Sequence, residues 1–178
     1  AYDEELCQEV VLKKYRWEHG SLDNEVINKR DYYKKQRKAF LNEARILSSL
    51  FDIKEVVKVL DYFEERENAY IVMEFVQGIS LRQYLESRNQ PMSFTEAWNF
   101  LLPVMEALEK VHQNKLIHRD ISPDNFIIKE DGSIKLLDFG SAREYAEEKT
   151  MTVLVKKGYA PPEQYSRKGK QGPWTDIY

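Results

Sequence analysis

Apolar residues in the first part of the chain fall into short runs separated by polar segments. The segments 10–15, 56–63 and 69–75 are rich in β-branched and aromatic residues, which favour strands. The continuous apolar run at 69–75 is typical of a buried strand. Between the first two runs, apolar residues recur at the spacing of one helix face: Phe40, Ala44, Leu47 and Leu50. The pattern predicts a small β-rich unit that contains one helix.

After Gly78, at a predicted hinge, the pattern becomes helical. Ser80 is placed to cap a short helix, and Ser93 opens a capping box before a longer one. The apolar stripe of this second helix predicts that it is mostly buried: Ala97, Trp98, Leu101, Val104, Leu108 and Val111. Pro103 lies inside the stripe and is expected to kink the axis, because proline removes a backbone hydrogen bond.

The composition is that of an ordinary globular domain. The 178 residues are 42% hydrophobic, which is enough for a sizeable core. With 30 acidic and 27 basic residues the formal net charge is −3, so no overall charge draws the chain to nucleic acid or to an anionic membrane. The single cysteine, Cys7, favours a reducing, cytoplasmic location. No apolar run is long enough to span a bilayer, while tethering through flanking regions stays open.

Residues suited to catalysis are concentrated in polar loops after residue 116. The tripeptide HRD at 118–120 is followed by Asn125 and then by DFG at 138–140, across a predicted strand–turn–strand. Each tripeptide alone is unremarkable, because Asp and Asn commonly form turns. The joint pattern with this spacing is specific, and it resembles that of the eukaryotic-type protein kinases. The sequences HRDISPDN and GYAPPEQY are most similar to those of bacterial members of this family.

The resemblance implies phosphoryl transfer with ATP and Mg²⁺. Such a transfer needs divalent cations that neutralise phosphate charge and a carboxylate that orients the attacking hydroxyl. By the resemblance, Asp120 accepts the proton of the substrate hydroxyl, while Asn125 and Asp138 hold Mg²⁺ and with it the nucleotide. The implied substrates are proteins phosphorylated on Ser or Thr, because the catalytic loop lacks the Ala-Ala-Arg or Arg-Ala-Ala insert typical of tyrosine kinases.

A second group of residues, earlier in the chain, resembles the nucleotide-binding part of a kinase. Lys13 ends a VVLK run similar to the family's VAIK strand, whose lysine contacts the α- and β-phosphates. Glu43 is the implied carboxylate partner of Lys13. The interval between them is longer than is usual in the family and indicates an inserted segment near 17–31 of unassigned role. The adenine pocket is implied at the strand-to-hinge passage that follows: Met73, Glu74 and Val76.

The resemblance also implies regulation and an anchor for the catalytic loop. In the family, the histidine of HRD packs in the core, whereas the arginine usually binds a phosphate on the activation segment, here the loop between Asp138 and Glu163. Arg119 therefore suggests control by phosphorylation, with Thr150 and Thr152 as the expected acceptors. Asp176, in the sequence WTDIY, resembles the aspartate that anchors the catalytic loop.

At two positions the residue types differ from the family pattern, as if a lysine and a hydroxyl-bearing residue had been exchanged between them. Most Ser/Thr kinases carry a lysine two residues after the catalytic aspartate, where this chain has Ser122. Seven residues before Glu163 they usually carry a threonine, where this chain has Lys156. We expect Lys156 to reach across from the activation segment and to supply the positive charge that is missing at Ser122. The alternative is a solvent-facing lysine beside Lys157.

The expected architecture is an α+β, two-lobed kinase-like fold that is incomplete in this chain. Residues 1–76 are expected to form a β-rich N-lobe without the glycine-rich loop, and residues 77–178 a partial C-lobe with the catalytic loop and activation segment. The domain is expected to be truncated at both ends. The alternative function is a pseudokinase-type nucleotide-binding scaffold or an inactive fragment. Against it stand the retained polar residues Lys13, Glu43, Asp120, Asn125 and Asp138.

Overall fold

The structure, a computed structural model, describes residues 1–5, 7–15, 29–66, 68–145, 155–166 and 168–178. The chain divides into two units. The first consists of Ala1–Phe51 and Lys58–Phe75, and the second of Asp52–Val57 and Val76–Tyr178. Most of the inserted segment predicted near 17–31 lies outside the described residues. The sequence-based division of the domains after residue 76 stays a prediction.

A four-stranded antiparallel sheet forms the frame of the first unit. Its strands are β1 (Tyr2–Asp3), β2 (Gln8–Tyr15), β3 (Val59–Glu65) and β4 (Asn68–Glu74), in the order β1–β2–β4–β3. Strand β4 is central and pairs with β2 on one side and β3 on the other. This position explains its apolar run, because side chains such as Ile71 are fully buried.

One helix, α1 (Lys29–Ser49), lies against β3 and β4 of the first unit. Its predicted apolar face is buried at Ala44 and Leu47, and Leu50 is buried directly after the last helical residue. Phe40 is half-buried, and its ring lies 5.8 Å from that of Tyr15, measured between centroids. In the described part of this unit, the predicted combination of β-strands and one helix is therefore confirmed.

The described residues of the second unit form three helices: α2 (Leu81–Glu86), α3 (Phe94–Gln113) and α4 (Pro173–Ile177). Both predicted caps are present. The Ser80 hydroxyl accepts a hydrogen bond from the Gln83 backbone N–H at the start of α2, and Ser93 caps α3 in the same way through Glu96. In each case the third helical side chain bonds back to the capping residue, which completes a capping box.

The burial of α3 differs from the expectation along its length. Val104, Leu108 and Val111 in its second half are buried, as predicted. Trp98 and Leu101 in its first half are 46% and 47% exposed, so the prediction of a mostly buried helix was wrong there. Periodicity identifies the apolar stripe, but it does not show how much of the stripe finds a packing partner. The helix continues through Pro103 as one element.

Short antiparallel strands flank the loops of the second unit. Strands β5 (Ile79–Ser80), β7 (Phe126–Ile128) and β8 (Ile134–Leu136) form one sheet, and β6 (Leu116–Ile117) pairs with β9 (Arg143–Glu144). A Cβ atom at Gly78 would lie 2.2 Å from the carbonyl oxygen of Ile128. Glycine at the predicted hinge is thus required by close backbone packing.

The apolar run at 56–63, predicted as one strand, is divided between the units. Strand β3 begins only at Val59, whereas Val56 forms a parallel bridge with Leu136 of β8. The Val57 N–H donates to the carbonyl of Leu136 over 3.0 Å, and the Leu136 N–H donates to that of Glu55. The run therefore changes hydrogen-bonding partner in the middle, which its apolar pattern does not reveal.

None of the described helices is long and apolar enough to cross a membrane.

Candidate active site

The HRD tripeptide lies in the loop that joins β6 to β7 of the second unit. His118 is fully buried and Arg119 nearly so. Arg119 has a φ of 72°. This left-handed backbone conformation is energetically unfavourable for any residue other than glycine. A 3-10 turn at Pro123–Asn125 ends the loop and leads directly into β7. The surrounding structure therefore has to hold the loop in this conformation.

Asp176 of α4 holds the loop through its backbone. Its carboxylate accepts hydrogen bonds from the N–H groups of His118 (2.8 Å) and Arg119 (2.7 Å). His112 Nε2 of α3 lies 2.8 Å from the same carboxylate. Because Asp176 is buried, these charge-assisted bonds are strong and favour the left-handed conformation at Arg119. The geometry agrees with the anchoring role expected from the sequence.

The ring of His118 is part of the core of this unit. Its Nε2–H donates to the carbonyl of Leu137 over 2.9 Å, and its Nδ1 accepts from the Asp120 N–H over 3.2 Å. These two bonds define a neutral tautomer. Burial lowers the pKa of His118, although the carboxylate of Asp176 acts in the opposite direction. The ring also contacts Phe139 edge-on, with centroids 4.5 Å apart. His118 is therefore a packing residue beside the catalytic loop.

Asp120 and Asn125 form a close pair. The Asn125 side-chain amide donates to the carbonyl oxygen of Asp120 over 2.7 Å and to its Oδ2 over 2.9 Å. The other carboxylate oxygen, Oδ1 of Asp120, is buried and has no hydrogen-bond partner among the described residues. A buried acceptor without a partner is unusual in folded proteins and requires an explanation. A substrate hydroxyl that donates to Oδ1 would supply one.

Asp138 is brought close to this pair through the backbone. The N–H of Leu137, its neighbour, donates to the carbonyl of Asn125 over 2.8 Å. Asp138 itself adopts a left-handed conformation with φ 56°, and its carboxylate accepts from the Gly140 N–H over 3.2 Å. The DFG tripeptide thus forms a turn directly next to the catalytic loop.

Amide and carboxylate oxygens such as those of Asn125 and Asp138 are chemically suited to a magnesium ion. Both hydrogen bonds of the Asn125 amide are made by its nitrogen, which leaves the amide oxygen as the group suited to a cation. Amide and carboxylate oxygens are the hard ligands that Mg²⁺ prefers, and it usually takes few protein ligands beside water and phosphate. A self-sufficient metal centre is not present, since the described residues include no group of three or more His, Cys, Asp or Glu that could hold a metal.

Lys156 contacts the catalytic loop at the position predicted from the exchange. Its ammonium donates to the Ser122 hydroxyl over 2.9 Å and forms an ion pair with Asp124 over 2.5 Å. Ser122 is buried, whereas the side chains of Lys156 and Asp124 are each about one-third exposed. The contact places a positive charge beside the residue that replaces the family's lysine. The catalytic role of that charge stays a prediction.

The first unit contains the second predicted pair. Lys13 of β2 bonds both carboxylate oxygens of Glu43 on α1, at 2.8 and 3.0 Å. Glu43 is 6% exposed. Burial of Glu43 lessens the screening of the attraction between the two charges, but it also costs desolvation free energy, and the Lys13 side chain stays 34% exposed. The structure thus joins two residues that are 30 positions apart in sequence.

The residues expected around the adenine ring do not all belong to one unit. Met73 and Glu74 end β4 in the first unit, and Val76 belongs to the second. Within the first unit, the Glu74 carboxylate accepts from the Lys58 N–H over 2.9 Å. The adenine pocket itself stays a prediction.

The expected regulatory residues are described only in part. Arg119 donates to the Ser141 carbonyl over 3.4 Å. Burial lowers the pKa of Arg119, and the positive charge of Arg143 lowers it further. Arg143 donates to the next carbonyl along the chain, that of Ala142, over 2.6 Å. Thr150 and Thr152 lie outside the described residues.

Some contacts at the site were missed in the sequence. The buried Gln164 side chain donates to the Arg119 carbonyl over 2.9 Å, and the Thr175 hydroxyl donates to Glu163 over 2.9 Å. Gln164 follows Glu163 in the quoted GYAPPEQY sequence, but a glutamine carries no signal for a partner 45 positions away. Such pairings are set by tertiary structure alone.

Comparison with known proteins assigns these motifs to a family. Residues 10–178 match the family described as protein kinase domain. The chain is 36% identical over 176 residues to the serine/threonine-protein kinase PrkC of Bacillus subtilis, which covers 97% of this chain and 25% of PrkC. It is 34% identical over 126 residues to the probable serine/threonine-protein kinase PknB of Lactococcus lactis, which covers 69% of this chain and 20% of that protein.

A solved structure shows the same fold. The apo form of PpkA-294 matches 99% of this chain and 65% of its own, with a TM-score of 0.77 and 31% identity. The chain therefore belongs to the protein kinase domain family and has an α+β, kinase-like fold. The expected similarity to bacterial serine/threonine kinases is also confirmed. The chain spans about a quarter of the length of PrkC.

Proposed function

We propose that this chain carries the catalytic residues of a kinase that transfers the γ-phosphoryl group of ATP to Ser or Thr hydroxyls of proteins. The main support is the geometry of Asp120. One of its carboxylate oxygens is held by the Asn125 amide, while the other is buried without a hydrogen-bond partner among the described residues. A carboxylate fixed in this way is suited to accept the proton of a hydroxyl group.

In the proposed reaction, the substrate hydroxyl donates a hydrogen bond to Asp120. The hydroxyl oxygen forms a bond to the γ-phosphorus as the bond from that phosphorus to the β,γ-bridging oxygen breaks, and ADP leaves. The hydroxyl proton passes to the Asp120 carboxylate. Asn125 and Asp138 would hold Mg²⁺, which neutralises phosphate charge when it is bound. The neutral, buried His118 takes no part in the proton transfer.

The first unit contributes to nucleotide binding in this proposal. Lys13, oriented by Glu43, would contact the α- and β-phosphates, since both carboxylate oxygens of Glu43 hold its ammonium. Met73, Glu74 and Val76 would contact the adenine ring, as the residues at the equivalent positions do in the family.

Lys156 would stabilise the transferred phosphoryl group. Its ammonium already lies on the catalytic loop, bonded to Ser122 two residues after Asp120. A fixed cation near developing negative charge lowers the barrier of the chemical step. The lysine would then act from the activation segment, in place of the catalytic-loop lysine of related kinases.

Control by phosphorylation also belongs to the proposal. Arg119 and Arg143 would bind a phosphate on Thr150 or Thr152, since guanidinium groups suit a phosphate and both donate to adjacent carbonyls, those of Ser141 and Ala142. Mass spectrometry of the active protein tests this point. If fully active protein carries phosphate on neither threonine, this mode of control is excluded.

The proposed function is tested by phosphate transfer from radiolabelled ATP to a generic protein substrate, with and without Mg²⁺. We expect Mg²⁺-dependent labelling of Ser or Thr that is lost in Asp120→Asn. Nucleotide binding, measured by calorimetry, should persist in this variant. Binding of ATP without transfer by the parent protein would instead identify a pseudokinase scaffold.

A further inference from the structure

Asp124 lies at the centre of a polar network on the surface of the second unit. The guanidinium of Arg82 on α2 binds both of its carboxylate oxygens, through Nε to Oδ1 and through Nη2 to Oδ2, the latter over 3.1 Å. The same nitrogen lies 3.3 Å from the Tyr159 hydroxyl, which accepts its hydrogen bond. The ammonium of Lys156 completes the network from the other side of Asp124. The network thus connects α2, the catalytic loop and the activation segment.

The geometry restricts the ammonium of Lys156. A lysine side chain has four rotatable bonds and loses much of its freedom only when several acceptors hold it. Ser122 and Asp124 are two acceptors on one short segment of the catalytic loop, at 2.9 and 2.5 Å. Asp124 is itself oriented, because the planar guanidinium of Arg82 holds its carboxylate in a fixed plane. Lys156 therefore binds a carboxylate whose orientation is fixed by Arg82.

The charge of Asp124 is secured by the same contacts. Arg82 and Lys156 both contact its carboxylate oxygens, so two positive charges face one negative charge. Arg82 satisfies much of this charge, so the ion pair can orient Lys156 while leaving its positive charge only partly neutralised. Two cations around one anion leave a net charge of one.

We infer that Asp124, oriented by Arg82, is a positioning residue that fixes the Lys156 ammonium for phosphoryl transfer. The inference rests on the proposed function, and it adds two residues that neither the sequence patterns nor the family match assigns to the reaction. Asp124 acts only through Lys156. Its removal should therefore have no effect on turnover once Lys156 is gone.

A double-mutant cycle tests this dependence. Asp124→Asn is measured in the parent protein and in a Lys156→Met background, with kcat and the KM for ATP determined separately. We expect kcat to fall about fivefold in the parent background and to be unchanged in the Lys156→Met background, as for residues in direct contact. Asp124→Glu should restore most of kcat. Arg82→Gln should give a smaller loss that also disappears with Lys156→Met.

A matched control is available at Asp131, which is also ion-paired to a lysine, Lys129, and hydrogen-bonded to a serine. Asp131→Asn should leave kcat unchanged in both backgrounds. A merely structural role of Asp124 would lower kcat by the same factor in both backgrounds, and that result overturns the inference. Unchanged or faster turnover of Asp124→Asn in the parent background overturns it as well.

A second measurement does not require catalysis. Acetylation of Lys156 by a dilute amine-reactive reagent is followed by mass spectrometry, with the exposed Lys157 as the internal reference. An ammonium held by a carboxylate and a hydroxyl is shielded, so Asp124→Asn and Arg82→Gln should each raise the labelling of Lys156 about threefold relative to Lys157. Unchanged labelling in both variants overturns the inference. If the variants raise the labelling of Lys156 but the parent protein transfers no phosphate, the contact between Asp124 and Lys156 is confirmed. In that case only the proposed kinase function is refuted.

Discussion

The ammonium of Lys156 and the hydroxyl of Ser122 are joined by a 2.9 Å hydrogen bond across 34 residues of sequence. In most related kinases the catalytic loop itself carries the lysine, two residues after the catalytic aspartate. Here a small, buried serine leaves room for a lysine from the activation segment. The charge is thus present near the same place although its position in the sequence has changed.

The first prediction concerns this exchange. Lys156→Ala should lower kcat by about 10- to 100-fold, because it removes a charge-assisted contact to the transferred phosphate. The double variant Ser122→Lys with Lys156→Thr, which restores the usual family pattern, should recover much of the loss. Steady-state phosphorylation of a Thr-containing peptide provides the measurement.

Lys157→Ala serves as the control for Lys156→Ala, because it removes the exposed neighbouring lysine. Its kcat should equal that of the parent protein. If Lys156→Ala is as fast as the parent, the contact with Ser122 has no catalytic meaning.

The second prediction concerns the proton acceptor. Asp120→Asn should lower kcat by a factor of at least about 100, because an amide cannot accept the hydroxyl proton. The affinity for Mg-ATP should change little, since the metal ligands proposed are Asn125 and Asp138. Single-turnover kinetics combined with nucleotide titration separates the two effects. Equal turnover by the variant would remove Asp120 from the mechanism.

The third prediction concerns the anchor of the catalytic loop. Asp176→Ala leaves the buried N–H groups of His118 and Arg119 without their acceptor. The free energy of unfolding should fall by about 2–4 kcal/mol, the range for losing hydrogen bonds to a buried charged group. Urea denaturation provides the value. Asp131→Ala, which removes an exposed carboxylate, should cost much less, and similar losses in both variants would contradict the anchoring role.

The fourth prediction is a pH dependence of stability that arises from His118. Burial lowers its pKa in the folded chain below the value of about 6.5 in the unfolded chain. Below pH 6.5 the unfolded state therefore binds the extra proton first, and stability falls as the pH falls. Above pH 6.5 both states are neutral and the contribution is constant. The slope reaches at most about 1.4 kcal/mol per pH unit for one proton.

Urea denaturation at pH 7.5 and 5.5 measures this effect in the parent protein and in His118→Gln. The variant should lose less stability between the two pH values, because glutamine does not titrate but can still donate to Leu137. Contributions from the carboxylates are common to both proteins and cancel in the difference. An equal loss in both proteins would show that His118 does not titrate in this range.

Local patterns in the sequence were sufficient for much of the fold. The serine caps at Ser80 and Ser93 were correct because a cap depends on residues within one turn of the helix. Strand β4 was identified from its apolar run, because Ala69, Ile71 and Val72 are buried in the centre of the sheet. The resemblance of the HRD, Asn125 and DFG pattern to the kinase family related Asp120, Asn125 and Asp138, which lie on neighbouring loops of one short stretch of chain.

Tertiary structure decided what depends on distant partners. The run at 56–63 is divided because Val56 pairs with Leu136, and the first half of α3 is exposed although its residues are apolar. The anchoring of Asp124 by Arg82 joins residues 42 positions apart that no periodicity relates. Hydrophobic spacing and capping act over a few residues, whereas hydrogen bonds and ion pairs between loops depend on how the whole unit packs. The sequence by itself thus determined the elements and the chemical groups of the site, and folding decided which of those groups meet.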